Sequence, residues 1–344
     1  MSHQVIPLVL VDRKTETIDT TSFYFQAKNR QLFHFKPGQF VLLDVNIDGV
    51  SQVRAYSISS QPNSDTLKLT IKRVENGLVS NWLIDHLQLS NEVSIQGIAG
   101  EFNIIDRPHR SKVLLISAGC GITPVFSIAH YLLNQQAQVH VDFLHCAKDE
   151  NNIIYHADLQ ETADQYAQFH YHLRLKQHES NQPVDNSSIG RITADFLQKA
   201  YPDLAQYTVF LCGSHRFMQD VANALESLQF DMSQFFHESF TVEQFLSLST
   251  TSTTIQQSVT VSVPTFGFEK TTSVDDNLLA ILESGQLPII GACRSGICGS
   301  CKCKIEQGEV ESTSTNTLTQ QEIDQGYRLA CSTRIKSDVV VSLS

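Results

Sequence analysis

The stretch Gly291–Lys302, GACRSGICGSCK, places three of the chain's eight cysteines within nine residues. Cys293, Cys298 and Cys301, followed far downstream by Cys331, give the pattern C-x4-C-x2-C…C. This is the spacing of plant-type clusters of two irons and two sulfides, which thiolates hold. The four cysteines therefore predict a metal centre that carries one electron at a time.

Zinc is the alternative metal, because structural zinc also takes four thiolates. Structural zinc usually comes from paired C-x2-C hairpins, whereas Cys331 stands alone, so the spacing favours the iron–sulfur cluster. Gly296 and Gly299 are expected to let the backbone come close to the cluster. Cys303 is expected to be a bystander in the strand that leaves the loop.

The composition bounds the class of protein. At 344 residues and 41% hydrophobic side chains, the chain can form more than one core, and we expect two or three domains. No basic patch followed by an apolar run opens the sequence, and the apolar runs are far shorter than the ~20 residues that cross a bilayer. We therefore expect a cytoplasmic protein with reduced thiols and no membrane partner. The oligomeric state stays open, with a monomer favoured. A net charge of −11 argues against a nucleic-acid partner and leaves small molecules or proteins.

The rhythm of the sequence divides the chain into four parts. Residues 1–107 read as strands between turn signals, with one helix near Leu78–Leu87, and predict a small antiparallel β-barrel. Residues 108–242 alternate buried strands with helices, which predicts a parallel α/β sheet. Residues 243–258 are rich in serine and threonine and predict a flexible linker. Residues 259–344 have the size of one small domain, in which Thr319-x-x-Glu322 predicts a helix start.

A pair of glycines after the first buried strand of the α/β region is a second candidate site. Gly119-x-Gly121 could hold a dinucleotide pyrophosphate on backbone amides at a helix start. Pro124 stands where the dinucleotide fingerprint has its third glycine, so an ordinary strand-to-helix turn is the alternative.

The barrel region offers three further groups. Arg54 could pair with a phosphate, Tyr56 could lie against an aromatic ring, and the amides near Ser80 could bind phosphate at a helix start. The alternatives are a surface arginine, a core tyrosine and a simple helix cap. The combination of all three in one region favours a cofactor site.

Together these motifs resemble a known family. A barrel with R-x-Y-S and G-x-V-S, then a sheet with G-x-G-x-x-P and a later Cys-Gly pair, is similar to the ferredoxin–NADP reductase superfamily, here with a plant-type ferredoxin domain. The resemblance covers nearly the whole chain. It implies a flavin-binding β-barrel, an NAD-binding α/β domain and an α+β ferredoxin domain of the β-grasp type. Within the superfamily, the segments LISAGCGITPVFS, FFHESF and LTQQEIDQGYRLAC are similar to the hybrid-cluster protein reductases, while phthalate dioxygenase and vanillate demethylase reductases share the domain order.

The resemblance implies FAD as the flavin, because the intact Gly77-x-Val-Ser-x-Trp-Leu pattern is similar to that of FAD-using members. The residues implied to contact the flavin ring, its phosphates or its pyrophosphate are Arg54, Tyr56, Ser57, Lys72, Val74, Gly77, Val79 and Ser80.

The resemblance also implies a nicotinamide site that faces the flavin. The residues implied to receive the nicotinamide nucleotide are Gly119, Cys120, Gly121, Thr123, Pro124, Cys212 and Gly213. Glu238 and Phe240 would close over the flavin, and with Tyr56, Ser57 and Cys212 they form the expected catalytic set. Cys212-Gly-Ser214 departs from the common Cys-Gly-Pro of relatives.

The nucleotide is expected to be NADH. Where relatives often carry an arginine and an aspartate around the adenosine, this chain has Lys148 and Asn152. The carboxylates of Asp149 and Glu150 would repel the 2′-phosphate of NADPH, whereas Lys148 would attract it.

These cofactors together predict an oxidoreductase. NADH gives up two electrons as a hydride, whereas the cluster accepts one, and FAD can bridge that mismatch. The resemblance implies hybrid-cluster protein as the redox partner. The alternatives are an oxygenase or demethylase component as partner, or a slow-turnover redox sensor.

Overall fold

The computed structural model describes residues 5–135, 138–177, 184–239, 258–274, 276–285, 287–291, 296, 299–315 and 317–343. The chain forms two compact units, Met1–Ser239 and Phe240–Ser344. Residues 243–257 of the predicted linker lie outside the described residues, and Ser258 begins a strand. Among the residues described, no helix is long and apolar enough to span a membrane.

The first lobe of unit one is an antiparallel, barrel-like sheet with one helix, as predicted. Its elements are β1 Ile6–Thr17, β2 Thr20–Ala27, β3 Phe40–Ile47, β4 Val50–Ser57, β5 Thr66–Lys72, α1 Leu78–His86 and β6 Glu92–Ala99. The strand order is β4-β3-β6-β1-β2-β5. A bridge between Ile58 and Leu69 joins the chain just after β4 to β5, so the two outer strands of the sheet meet. Phenylalanine, leucine and isoleucine side chains fill the interior and hold β4, β5 and α1 around it.

The second lobe is a parallel sheet flanked by helices, again as predicted. Its elements are β7 Lys112–Ala118, α2 Ile122–Gln135, β8 His140–Ala147, α3 His156–Gln165, β9 Phe169–Leu175, β10 Ser187–Ile189, α4 Ala194–Ala200, β11 Tyr207–Gly213, α5 His215–Ser227 and β12 Phe235–Ser239. The strand order is β10-β9-β8-β7-β11-β12, and every pair is parallel. From β7 the chain builds the sheet toward β10, then returns to the other side with β11. Ligands of such sheets bind at the carboxyl ends of the strands where the order reverses, here β7 and β11.

A buried cation holds the two lobes of unit one together. Lys68 on β5 is only 7% exposed, and its Nζ lies 3.9 Å from the centre of the Tyr155 ring, just before α3. The same Nζ lies 3.8 Å from Oε1 of Glu16 on β1. Desolvation lowers the pKa of Lys68, and the carboxylates of Asp158 and Glu16 oppose that shift. The barrel and the parallel sheet are therefore joined by a specific polar contact as well as by apolar packing.

Unit two is an α+β domain. Its elements are β13 Ser258–Val263, β14 Phe268–Ser273, α6 Leu278–Ser284, β15 Lys302–Gln307, β16 Val310–Ser312, α7 Gln320–Asp324, β17 Tyr327–Leu329, β18 Thr333–Ile335 and β19 Val339–Leu343. The main sheet has the order β14-β13-β19-β15-β17, and α6 buries its leucines and isoleucine in the core of the domain. The predicted capping box is present at the start of α7: Thr319 and Glu322 each satisfy the other's backbone N–H.

Candidate redox site

The nucleotide turn, Gly119–Gly121, lies between β7 and α2 at the carboxyl edge of the parallel sheet. Gly119 has φ +52°, in the left-handed region, and a Cβ there would meet open space. Gly121 is in the opposite situation, because a Cβ on it would lie 2.3 Å from the carbonyl oxygen of Cys212. The first glycine is therefore needed for its backbone angle and the second for its close approach to β11.

The start of α2 is stabilised locally. The Thr123 hydroxyl donates a 2.9 Å hydrogen bond to the carbonyl of Cys120. Pro124 is buried in the first turn, where a missing N–H leaves no helical bond unmade. Proline in place of the third glycine thus suits a helix start.

A cavity of about 620 Å³ opens beside this turn. The lining residues are Ile18, Asp19, Lys72, Ala118, Gly119, Cys146, Ala147, Lys148, Asn152 and Lys176. Three lysines make the lining cationic. Lys72 pairs with Asp19 at 3.0 Å, and Lys148 lies 3.6 Å from Asp149. The volume, the lysines and the glycine turn fit a dinucleotide with its negatively charged pyrophosphate.

Cys212 lies in a row across three strands at the reversal point. It aligns with Ser117 of β7 on one side and with Glu238 of β12 on the other. Burial first, and then the neighbouring Glu238 and Cys120, raise the pKa of the Cys212 thiol well above its usual value. The next residue, Gly213, has no room for a Cβ, which would lie 2.6 Å from the Phe217 ring. Phe240, the remaining predicted member of this group, lies outside the described residues.

Cys120 connects the nucleotide turn to the barrel. Its thiol donates to the carbonyl of Thr70 on β5 at 3.4 Å, and burial raises its pKa to about 11. Cys120 is also an electrostatic neighbour of Tyr56: burial raises the pKa of Tyr56, Arg54 opposes the rise and Cys120 adds to it. The structure therefore brings Tyr56, Cys120, Cys212 and Glu238 into one neighbourhood, although they are far apart in sequence.

The predicted flavin residues of β4 lie on both faces of that strand. Arg54 and Tyr56 lie on one face of β4, and the buried Ser57 lies on the other. Tyr56 packs on the barrel core. The Arg54 guanidinium donates to the carbonyl of Val53 at 2.7 Å, which holds it against the strand. Lys72 ends β5 at the cavity, and Val74 just beyond is 49% exposed.

The start of α1 fits a phosphate site. Gly77 is the residue before the helix, and in the described structure no side chain caps the first-turn amides. A Cβ on Gly77 would lie 2.6 Å from Oγ of Ser80, and that hydroxyl accepts from the N–H of Val74 at 3.3 Å. Val79 is buried and anchors the helix in the core. The free amides of a nine-residue helix can bind an anion.

No motif in the sequence pointed to Asn81, which follows Ser80 in α1. Its side-chain oxygen is buried and has no hydrogen-bond partner among the described residues. An orphaned polar atom costs free energy unless a ligand satisfies it, so Asn81 is a candidate for contact with the flavin. Polar residues are common on helices, and only the burial of Asn81 reveals it.

In unit two, the described part of the cysteine loop has two thiols close together. The N–H of Cys331 donates to Sγ of Cys301 at 3.4 Å, and the N–H of Gly296 donates to Sγ of Cys331 at 3.1 Å. Gly296 and Gly299 both have φ +75°, in the left-handed region that favours glycine. Cys293 and Cys298 lie outside the described residues. Buried thiols that receive backbone N–H groups suit a cluster whose sulfurs need such donors.

Comparison with known proteins agrees with this division. Three family models match: the oxidoreductase FAD-binding domain at residues 7–104, the oxidoreductase NAD-binding domain at 115–223 and the 2Fe-2S iron-sulfur cluster binding domain at 265–336. The chain is 34% identical over 338 residues to the glycine betaine monooxygenase reductase subunit of Pseudomonas aeruginosa, which covers 95% of this chain and 92% of the relative. The chain belongs to the ferredoxin–NADP reductase superfamily.

As a member of this superfamily, the chain is an oxidoreductase with sites for FAD, NAD and a 2Fe-2S cluster. It is also 31% identical over 313 residues to NADH oxidoreductase HCR of Escherichia coli, covering 90% of this chain and 89% of the relative. The solved structure of phthalate dioxygenase reductase matches with a TM-score of 0.65 at 21% identity over 98% of both chains, which shows the same fold. The expected fold class and cofactors are confirmed.

Proposed function

We propose that this reductase takes electrons from NADH and delivers them, one at a time, to a separate acceptor protein. When bound, FAD supplies the exchange between a two-electron hydride and single electrons, and the cluster supplies one-electron transfer. The observation that carries the proposal is the link between Cys120 of the nucleotide turn and both Tyr56 and Thr70 of the barrel. It supports a nicotinamide and a flavin ring meeting at one point.

The chain's own residues bind and orient in this proposal. Gly119 and Gly121 would bring backbone amides to the pyrophosphate, and Cys212 with Gly213 would flank the nicotinamide. The buried Glu238 would lie behind Cys212, while Tyr56 and Ser57 would hold the ring of the flavin. Positioning of this kind lowers the barrier because the reacting atoms start close and aligned. A buried setting also keeps water away from the ring.

We favour NADH over NADPH, although the structure leaves one of the two carboxylates named above, Glu150, to repel the 2′-phosphate. Asp149 is fully buried and accepts from the N–H of Asn151 and the side chain of Asn152, so it turns away from solvent. The carboxylate of Glu150 would still repel a 2′-phosphate, whereas Lys148 and Lys176 in the cavity lining would attract it. The ratio of kcat/KM for NADH to that for NADPH measures the choice, and a ratio below one would overturn it.

The first acceptor class that we propose is an oxygenase or demethylase component. The glycine betaine monooxygenase reductase subunits reach 34% identity, and the stachydrine N-demethylase reductase subunit of Rhizobium meliloti reaches 30%. The second is hybrid-cluster protein, which the motifs around Phe235–Phe240 and the cysteine loop favour by resemblance. Cysteines that bind a cluster must stay reduced, and cytosolic thiol buffers keep them so, which favours a cytoplasmic location for either partner.

One experiment separates the two acceptors. The holoprotein and NADH are mixed without oxygen with a purified oxygenase component or with hybrid-cluster protein, and reduction of each acceptor is followed by stopped flow. The proposal expects reduction of the oxygenase component at least tenfold faster. Faster reduction of hybrid-cluster protein would establish the second class, and reduction of neither, with ferricyanide still reduced, would contradict both.

A further inference from the structure

A cluster of three metal-binding side chains lies in the NAD-binding lobe, away from the cavity. His140 and Asp142 belong to β8 and His170 to β9. One ligand atom from each lies within 4.8 Å of the other two. Nε2 of His140 and Oδ2 of Asp142 are 2.9 Å apart, and the rings of His140 and His170 have their centres 5.0 Å apart.

The sheet itself brings these side chains together. His140 and Asp142 are two residues apart on one strand and therefore point to the same face. The parallel register sets Asp142 beside His170 on the neighbouring strand. His170 is exposed, and its ring lies beside the ring of His140 on the neighbouring strand.

A hydrogen bond from outside the cluster orients the carboxylate of Asp142. The Tyr207 hydroxyl donates a 2.6 Å hydrogen bond to its Oδ2, and Asp142 is one reason why the pKa of Tyr207 is raised, after burial. Lys112, which aligns with His140 on the neighbouring strand β7, forms an ion pair with Asp203, and this pairing reduces its repulsion of a metal ion. Outer-shell partners of this kind orient metal ligands.

We propose that His140, Asp142 and His170 form a binding site for a divalent cation of the zinc class. Two imidazoles and a carboxylate are a common set of three protein ligands for zinc, with water in the fourth position. Tetrahedral zinc with bonds of ~2.0–2.1 Å places its ligand atoms about 3.3 Å apart. Rotation of the exposed His170 ring closes the remaining gap. The side chains of His140 and Asp142 are 36% and 15% exposed, so the ion can enter from solvent.

The site would join β8 to β9 at their amino-terminal ends. The cavity lies at the carboxyl ends of the same strands, where Cys146, Ala147 and Lys176 line it. A cation at this edge would therefore stabilise the lobe without touching the redox centre. We expect zinc to raise the melting temperature and to leave the rate of ferricyanide reduction by NADH unchanged.

The test titrates the full-length holoprotein with ZnCl₂ at pH 7.5 by calorimetry, and zinc X-ray absorption then identifies the ligands. We expect one tight equivalent with nitrogen and oxygen but no sulfur ligands, at least tenfold weaker binding in His140→Ala and in His170→Ala, and loss of the thermal shift. His172→Ala is the matched control, because His172 is the next residue on that face of β9 but bonds to Ser188 instead. Flavin content and ferricyanide activity confirm that each variant is folded.

Three results would overturn the site: sulfur ligands around the zinc, unchanged affinity in His170→Ala, or equal weakening in His172→Ala. Failure of the wild-type holoprotein to bind zinc would do the same.

Discussion

In the cluster domain the groups proposed to hold the cofactor are side chains, whereas in the NAD-binding lobe the proposed groups are mostly backbone amides. Cys301 and Cys331 present sulfur atoms that only cysteine can supply. Gly119 and Gly121 present nothing but amides, and their identity matters for a backbone angle at one and for a 2.3 Å approach to β11 at the other. A side-chain site is lost when one ligand atom is replaced. A backbone site is weakened when a substitution changes the path of the main chain.

The largest effect is expected at the cluster. Cys331→Ser should abolish reduction of the acceptor protein, because the 2Fe-2S cluster loses a ligand, while NADH still reduces ferricyanide through the flavin. Cys303→Ser is the control: Cys303 is buried on β15 and we expect it not to bind iron. Iron analysis and acceptor-reduction rates check both variants. Loss of the cluster in Cys303→Ser, or its retention in Cys331→Ser, would show that the ligand set is wrong.

The two glycines of the nucleotide turn provide the next test. Gly121→Ala should lower kcat/KM for NADH on the order of 100-fold, because the added methyl pushes the turn away from Cys212 and misplaces the nicotinamide. Gly119→Ala adds a methyl in open space, and its only cost is the strain of a side chain at φ +52°, about 1–2 kcal/mol. We therefore expect kcat/KM for NADH to fall about tenfold in this variant. Steady-state kinetics with ferricyanide give both values. Equal losses, or a larger loss at Gly119, would contradict a turn held by close approach to β11.

A smaller effect is expected at the start of α1. Asn81→Leu should weaken FAD binding about fivefold if the buried amide oxygen bonds to the cofactor, since a buried hydrogen bond contributes about 1 kcal/mol. FAD release followed by fluorescence measures the affinity. If Asn81 does not contact FAD, the leucine removes an unsatisfied polar atom, and the protein would melt higher with unchanged FAD affinity.

The last expected effect is on stability rather than activity and concerns His145, which lies beneath the nucleotide turn. His145 is fully buried, its Nδ1 is 2.8 Å from the Ser117 hydroxyl, and burial lowers its pKa to about 3. Below the ordinary pKa of 6.5, His145 binds a proton in the unfolded chain but stays neutral in the folded chain. The free energy of unfolding therefore falls as the pH drops from 6.5 toward 3, by up to about 1.4 kcal/mol per pH unit. Burial also lowers the pKa of His130, to about 4, so His130 adds to the pH dependence of unfolding between pH 6.5 and 4.

His145→Gln should therefore reduce the pH dependence of unfolding between pH 6.5 and 5 by up to about 1.4 kcal/mol per pH unit. His130, His172 and His237, whose pKa values burial also lowers, supply the remaining dependence. Melting curves of unit one, followed by flavin fluorescence, give the slope. A slope in His145→Gln equal to that of the wild type would mean that His145 does not stay neutral in the fold.

The sequence predicted what depends on residue type and spacing. The cysteine spacing indicated the cluster, the alternation of β7 and α2 indicated the nucleotide turn, and Thr319 with Glu322 indicated the start of α7. It could not predict contacts between distant segments. The burial of Asn81, the inward turn of Asp149 and the meeting of His140 with His170 each depend on how helices and strands pack, and no local pattern encodes that.

The central claim is that electrons entering from NADH reach the cluster. Anaerobic titration of the holoprotein with NADH, followed by low-temperature EPR, tests it most directly. We predict full reduction at about 1.5 molecules of NADH per chain, since FAD takes two electrons and the cluster one, with an EPR signal of about one spin per chain. An end point at about one NADH with no EPR signal would contradict the account, because electrons would then stop at the flavin.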